Sequence, residues 1–200
     1  MKTLLLWFGG PAHAIPQKLQ SDAMFQSRTI GLALSQYAVD HEGKYPEGKT
    51  STEVFQKLLD EKYVSDPVIF YYFLPGKVKP ETSTLKPDNV AWDVTCCIDA
   101  TSPDHLPAVF LTGYKIVYQA GAKAVPVKMA PLKKSTPRTW SDWWYGIPIE
   151  PNYLAVRYKD TSAKTFQFPV DGSFPNFIPT DFDPEGKTYR QLTPDGELTP

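Results

Sequence analysis

In the first quarter of the chain, apolar residues recur at the i, i+3, i+4 and i+7 spacing that places side chains on one face of an α-helix. They are Ile30, Ala33, Leu34, Tyr37 and Ala38. The opposite face carries polar residues, namely Arg28, Ser35, Gln36 and Asp40. Gly43 tolerates a left-handed backbone and Pro46 cannot continue a helix. The pattern therefore predicts a helix over 17–42 that ends near 41–43.

The following segments carry one more helical pattern and then several strand patterns. Residues 50–62 have Ser51 or Thr52 as an N-cap and a helical apolar face, which predicts a short second helix. That face consists of Val54, Phe55, Leu58 and Leu59. Apolar, β-branched and aromatic runs predict strands at 68–74, 90–98 and 107–119. Gly113 is a bulge or turn in the third segment, which is either one strand or a hairpin. Residues 153–158 and 164–170 predict a hairpin with its turn at 160–163.

The composition is typical of one α+β domain. Of 200 residues, 42% are hydrophobic, which is enough for a core, and 20 prolines with 12 glycines favour short strands joined by turns. We predict an α+β fold in which an N-terminal amphipathic helix packs on a small, mostly antiparallel β-sheet, with long loops at 75–89 and 130–148. A formal net charge of −1 provides no electrostatic footprint for nucleic acid, so we expect no nucleic-acid partner.

The end of the predicted first helix carries the pattern Gln-Tyr-Ala-x-Asp-x-x-Gly-Lys-Tyr-Pro. It consists of Gln36, Tyr37, Ala38, Asp40, Gly43, Lys44, Tyr45 and Pro46. This pattern resembles the end of the first helix in type IV pilin-like proteins, above all the type II secretion pseudopilins and related prepilin-like proteins. The resemblance implies that the helix leads through a variable loop to a small antiparallel sheet. It also implies a non-enzymatic structural subunit, or a soluble relative of one, of a type II secretion pseudopilus or type IV pilus, with other pilin-like subunits or secretion-system components as partners.

The N-terminal residues depart from the pattern of that family. A pilin-like protein begins with a short basic leader and a long apolar helix, whereas residues 1–14 resemble a secretory signal peptide with cleavage after Ala14. We find no run of about 20 apolar residues, the length that spans a bilayer. We expect a leader at 1–14, the N-terminal helix within 15–46, a pilin-like globular domain at 47–180 and a C-terminal loop or tail at 181–200. The expected location is the periplasm, the cell envelope or the extracellular space.

No residue spacing in the sequence is typical of a catalytic or cofactor site. The chain lacks His-x-x-x-His, Cys-x-x-Cys and Gly-x-Ser-x-Gly patterns and has no glycine-rich phosphate loop after a strand. We therefore predict no enzyme activity and no cofactor. A secreted hydrolase would instead need a cleft that joins carboxylates with perturbed pKa values, such as Asp99, Asp104 or Asp142.

An aromatic cluster at 140–145 supports an alternative function. It contains Trp140, Trp143, Trp144 and Tyr145. Such a cluster either plugs the open side of a small sheet or forms a flat platform on which sugar rings stack. The second case would make the protein an exported carbohydrate- or ligand-binding module with polysaccharide as its partner.

Two further groups of residues leave alternatives open. Cys96 and Cys97 are adjacent, so they fit two small apolar residues at a strand end, or else a vicinal disulfide or a soft-metal site. Asp181, Asp183 and Glu185 alternate before a glycine, as oxygen ligands of calcium do, and the resemblance to major pseudopilins adds a calcium site near the C-terminus. A solvated turn explains the same residues, and we predict no metal site there.

Overall fold

A computed structural model describes residues 14–74, 76–126, 153–167, 176–184 and 186–196. Two α-helices come first, α1 at Ala14–Asp40 and α2 at Ser51–Asp60. Short 3-10 helices follow at Pro67–Phe70 and Pro87–Asn89. The strands of the described residues are β1 Trp92–Cys96, β2 Pro107–Leu111, β3 Tyr114–Lys115, β4 Val125–Pro126, β5 Tyr153–Tyr158, β6 Ala163–Gln167 and β7 Arg190–Leu192.

The main sheet has five strands in the order β6-β5-β2-β1-β7, and every neighbouring pair is antiparallel. The strands β3 and β4 form a separate two-stranded antiparallel sheet. Helix α1 packs on β5, β6 and β2 of the main sheet. These observations confirm the predicted α+β class, in which an N-terminal helix packs on a small antiparallel sheet.

The buried face of α1 is the one that the apolar spacing predicts. Ile30, Ala33, Leu34, Tyr37 and Ala38 are all buried, and Ile30 is fully inaccessible to solvent. The burial of this apolar surface stabilises the docked helix by about 25 cal/mol for each Å² removed from water. This packing holds α1 on the sheet and fixes which side of the helix remains in solvent.

A glycine allows α1 to approach β5 closely. A Cβ atom built on Gly31 would lie 2.5 Å from Cγ and 2.8 Å from Nε of Arg157, a buried residue of β5. The Arg157 guanidinium donates a hydrogen bond to the carbonyl of Thr161 in the turn after β5. Its methylene stem therefore supports the helix backbone while its charged end is held by the hairpin turn, an arrangement that only a missing side chain at 31 permits.

The N-cap of helix α2 lies one residue before the first of its two predicted positions. The N-cap is Thr50, whose hydroxyl accepts from the Glu53 N–H at 3.0 Å. Ser51 and Thr52, the predicted caps, instead donate their hydroxyls to the carbonyls of Trp92 at 2.8 Å and Pro194 at 2.9 Å. The prediction of the cap was wrong because all three neighbouring residues carry hydroxyls, and tertiary partners decide which of them caps the helix.

The strand predicted at 68–74 is not present. Residues Pro67–Phe70 form a 3-10 helix in which the Asp66 carboxylate accepts from the Val68 N–H at 2.9 Å. Proline at the first helical position and aspartate at the N-cap are both helix-start signals. They outweigh the β-propensity of the apolar residues here. Phe70 still enters the core, where its ring stacks on Phe55 with centroids 4.6 Å apart.

The predicted strands at 90–98 and 153–158 are confirmed as β1 and β5, and the predicted hairpin is confirmed by the pairing of β5 with β6. The segment 107–119 is not one strand or hairpin, because Gly113, with a φ of 104°, turns the chain from β2 into the separate β3–β4 sheet. The segment 181–200, predicted as a loop or tail, contains β7, which pairs with β1 at the edge of the main sheet.

We predict that the substitution Gly31→Ala destabilises the protein. Alanine is favoured over glycine inside an isolated helix by about 1 kcal/mol. Here its Cβ would overlap the Arg157 stem, so we expect the free energy of unfolding to fall by about 1–3 kcal/mol in urea denaturation. The matched control is Gln36→Ala on the exposed face, which should be nearly neutral. A Gly31→Ala variant as stable as the original would contradict the close contact.

Candidate functional site

The solvent face of α1 carries a row of exposed apolar side chains. Phe25, Leu32 and Val39 are 68%, 55% and 81% exposed. They are seven residues apart, about two helical turns, so they align along about 21 Å of one side of the helix. We call these three residues the heptad row. Large apolar side chains that align on one surface, rather than being scattered singly, indicate an interaction site.

Hydroxyl groups beside the heptad row are satisfied within the helix itself. The Thr29 hydroxyl donates to the Phe25 carbonyl at 3.1 Å, and the Ser35 hydroxyl donates to the Gly31 carbonyl at 2.9 Å. These hydrogen bonds persist when water leaves the surface, so burial of the face leaves neither hydroxyl unpaired. The face is therefore suited to contact with an apolar partner surface.

The sequence pattern at the end of α1 forms a tight turn. Glu42 and Gly43 have left-handed φ angles of 56° and 83°, and the Gly43 N–H donates to the Ala38 carbonyl at 2.7 Å. The Tyr45 N–H then donates to the Ile98 carbonyl at 3.2 Å, just after β1. The pattern therefore has a structural role, because it ends the helix and ties the next segment to the sheet.

A surface cleft lies between this turn and α2. The rings of Tyr37 and His41 stack with centroids 3.8 Å apart, and the Tyr63 hydroxyl donates to Asp40 Oδ2 at 2.7 Å. This hydrogen bond to Asp40 raises the pKa of Tyr63 to about 12. His41 Nε2 lies 3.5 Å from the Glu61 carboxylate, beyond the end of α2. These contacts fasten the end of α1 to the end of α2, which is a packing role.

A carboxyl group with a strongly altered pKa lies inside the core. Asp93 of β1 is fully buried, and its Oδ2 accepts from Gln191 Nε2 at 2.6 Å. Burial raises the pKa of Asp93 to about 7, and contacts with Thr112 and Gln191 offset this only in part. Gln191 also donates to the Tyr114 carbonyl at 2.6 Å, so the network joins β1, β7 and β3. Its position between strands makes it a structural network, closed to substrate.

The carboxylates considered for a hydrolase are paired with lysines where the structure describes them. Asp99 accepts from Lys187 Nζ at 2.6 Å, and this hydrogen bond holds the pKa of Asp99 well below its ordinary value. Asp104 lies 3.6 Å from Lys159 Nζ. Asp142 lies outside the described residues. Both described carboxylates therefore have the pairing expected of ion pairs near the surface.

The structure brings the two cysteines together and leaves other sequence candidates outside its described part. Cys96 is buried, Cys97 is exposed, and their Sγ atoms lie 2.8 Å apart. The aromatic cluster at 140–145 and Glu185 lie outside the described residues, whereas Asp181 and Asp183 are described and exposed. Within the part of the chain that the structure describes, no group of three or more His, Cys, Asp or Glu side chains is arranged to hold a metal ion.

The chain was compared with known proteins in three ways. Comparisons with protein-family models, with curated proteins and with solved structures gave no match. No helix among the described residues is long and apolar enough to cross a membrane. The geometry of this chain itself, and above all the heptad row, is therefore the basis for a functional interpretation.

Sequence reasoning missed both the heptad row and Asp93. The seven-residue recurrence of Phe25, Leu32 and Val39 is visible in the sequence, but the denser spacing of the buried face dominates the pattern. A test for period seven would have found the row. Asp93 interrupts an apolar strand pattern, and a carboxylate between core residues is itself a signal of a buried polar network.

We predict that the protein loses stability as the pH rises from 5 to 8 because of Asp93. The raised pKa means that the folded state retains a proton that the unfolded state has released above its ordinary pKa near 4. The stabilisation from this group is therefore complete below about pH 4, and it is lost as the pH rises from there through about 7. Urea unfolding at several pH values should show a loss of roughly 2–3 kcal/mol over this range.

The matched variant for this test is Asp93→Asn, which preserves the shape of the side chain without its charge. We expect its free energy of unfolding to vary less between pH 5 and pH 8 than that of the original protein. At pH 8 the variant should be the more stable of the two. Parallel pH profiles for the two proteins would show that Asp93 does not titrate in this range.

Proposed function

We propose that this protein is a non-enzymatic structural subunit, or a soluble relative of one, of a type II secretion pseudopilus or type IV pilus. The heptad row carries this proposal, because α1 then has one face for its own sheet and another for a neighbouring subunit. The antiparallel sheet under the helix and the pattern at 36–46 agree with a pilin-like domain.

The partner that fits the heptad row best is the same helix in a second copy of the chain. Two α-helices stay in contact along their length when apolar residues occupy two positions of each seven-residue repeat, and the heptad row supplies one of these positions. Phe25, Leu32 and Val39 provide three successive contacts at this period. Exposed Asp22 and Arg28 lie on either side of the row, so two copies can bring opposite charges together across the contact. These features favour self-association through α1.

The internal chemistry of the domain supports a structural role. Asp93, whose pKa is raised to about 7, is enclosed between strands and serves a network of hydrogen bonds. Asp99 and Asp104 are neutralised by lysines. Groups poised for catalysis usually face a cleft that substrate enters. We therefore assign the described carboxylates to stability and ion pairing.

The proposed setting is an exported protein in the periplasm, the cell envelope or the extracellular space. Other pilin-like subunits or secretion-system components are the proposed partners. An assembly of this kind requires a subunit that presents a rigid, regularly spaced apolar surface. The docked α1 supplies such a surface, since its opposite face is anchored by Ile30, Leu34 and Tyr37.

We predict that Leu32→Glu abolishes self-association of the protein. Leu32 is the central residue of the heptad row, and a carboxylate there would have to lose its hydration in the contact. Sedimentation velocity over a range of concentrations should show association of the original protein and a monomer for the variant. The expected loss of affinity is at least about tenfold, which corresponds to roughly 1.4 kcal/mol.

The matched control is Val78→Glu. Val78 and Leu32 are both 55% exposed, but Val78 lies outside α1 in the segment between the two 3-10 helices. This control should associate like the original protein, and all three proteins should have similar far-UV circular dichroism. A monomeric original protein at every concentration, or an equal effect of both substitutions, would contradict self-association through the heptad row.

A further inference from the structure

The side chains of Cys96 and Cys97 lie on the same side of the chain, contrary to the usual strand geometry. Cys96 is the last residue of β1 and pairs with Arg190 of β7. In an extended chain, successive side chains point to opposite faces, which keeps neighbouring sulfur atoms well apart. Here the φ of Cys97 is 66°, and the two Sγ atoms lie 2.8 Å apart. The left-handed backbone at Cys97 therefore turns its thiol back towards Cys96.

This backbone conformation is unusual at such a position. Among the described non-glycine residues with positive φ, Glu42 and Lys62 follow the ends of helices, and Thr161 lies in the β5–β6 turn. Cys97 is at none of these places, and a left-handed backbone is energetically unfavourable for a residue with a side chain. Glycine would adopt the conformation at less cost. A cysteine that bears this cost and contacts a second thiol points to a chemical role for the pair.

The two thiols differ in their accessibility to solvent. Cys97 is exposed, so a disulfide compound in solution can reach its sulfur. Cys96 is buried, and burial together with its contact to Cys97 raises the pKa of Cys96 to about 11. This difference in exposure gives Cys97 the role of the attacking thiol, and the 2.8 Å contact gives Cys96 the role of the thiol that completes the exchange.

A disulfide between these residues would stabilise the fold only weakly. A cross-link stabilises a protein chiefly by shortening the loops of the unfolded chain, and its effect grows with the number of residues enclosed. A ring between adjacent residues encloses none, so its contribution to stability is small. The pair is therefore better suited to reversible thiol chemistry than to structural cross-linking.

We propose that Cys96 and Cys97 form a reversible dithiol–disulfide site that exchanges with disulfide compounds. The Cys97 thiolate attacks one sulfur of the external disulfide, and the other external sulfur leaves as a thiolate. The Cys96 thiol then loses its proton to solvent, attacks Cys97 Sγ and displaces the second external sulfur. Two protein thiols are oxidised, one external disulfide is reduced to two thiols, and the two protons pass to the released thiolates.

The neighbourhood of the pair links this exchange to the contacts at the end of β1. The next residue, Ile98, accepts a hydrogen bond from Tyr45 after α1, and the following residue, Asp99, binds Lys187 ahead of β7. Closure of the ring constrains the backbone at 96–97 directly beside both contacts. The oxidation state of the pair therefore acts at the junction between the helix turn and the sheet.

The test is to equilibrate the whole chain with mixtures of reduced and oxidised glutathione. After an acid quench, free thiols are labelled with N-ethylmaleimide and the intact mass is measured. We expect a doubly labelled protein under reducing conditions and an unlabelled monomer, lighter by two hydrogen atoms before labelling, under oxidising conditions. Two labels at every glutathione ratio, a stable glutathione adduct on the original protein, or a disulfide-linked dimer would each overturn the proposal.

The single variants Cys96→Ser and Cys97→Ser resolve the order of the steps. Cys96→Ser should stop at a glutathione adduct on Cys97, whereas Cys97→Ser should react slowly because its remaining thiol is buried. Equal reactivity of the two variants would overturn the assigned roles. The result for the original protein decides the existence of the site even when a variant does not fold.

Discussion

The contact between the α1 backbone at Gly31 and the stem of Arg157 determines how closely the helix rests on the sheet. A buried arginine is costly unless its charged end is bound, and here the Thr161 carbonyl accepts from its guanidinium. The stem then contacts the helix backbone, and the helix can approach it this closely only because Gly31 has no side chain. Burial of Ile30 and Leu34 on either side depends on this distance, and so does the direction in which Phe25, Leu32 and Val39 face solvent. The packing inside the domain thus orients its outer surface.

The sequence predicts the helices and the β5–β6 hairpin well because their signals are local. A period of 3.6 residues identifies the buried face of α1, and alternation identifies β5. The signals fail where contacts with residues far away in the sequence determine the local structure. Thr50, Ser51 and Thr52 are equivalent as caps until Trp92 and Pro194 bind the hydroxyls of the latter two. The short strand β7 has no pattern of its own and exists because β1 offers it an edge. The run after Asp66 looks like a strand, yet a capping carboxylate and a proline direct it into a 3-10 helix.

The candidate sites also differ in how far the sequence alone predicts them. The heptad row can be read from the sequence once its period is sought, because spacing alone defines it. Asp93 is conspicuous as a charge among apolar neighbours, but its partner Gln191 lies 98 residues further along the chain. The adjacency of Cys96 and Cys97 is plain, whereas the left-handed angle that joins their sulfur atoms depends on how the segment after β1 is bound. Patterns of residue type are therefore readable in advance, and backbone angles and long-range pairs require the folded chain.

The pairing of β7 with β1 has a consequence for the way in which the chain matures. The Ser51 N–H and the Thr52 hydroxyl donate to the carbonyls of Thr193 and Pro194, so the start of α2 and one border of the sheet are completed by residues 142 positions further along the chain. During synthesis these residues leave the ribosome long after α2 has emerged. Until then β1 is an open edge, which is the kind of surface that pairs with foreign strands. The nascent chain therefore exposes this edge of β1 until β7 has been synthesised.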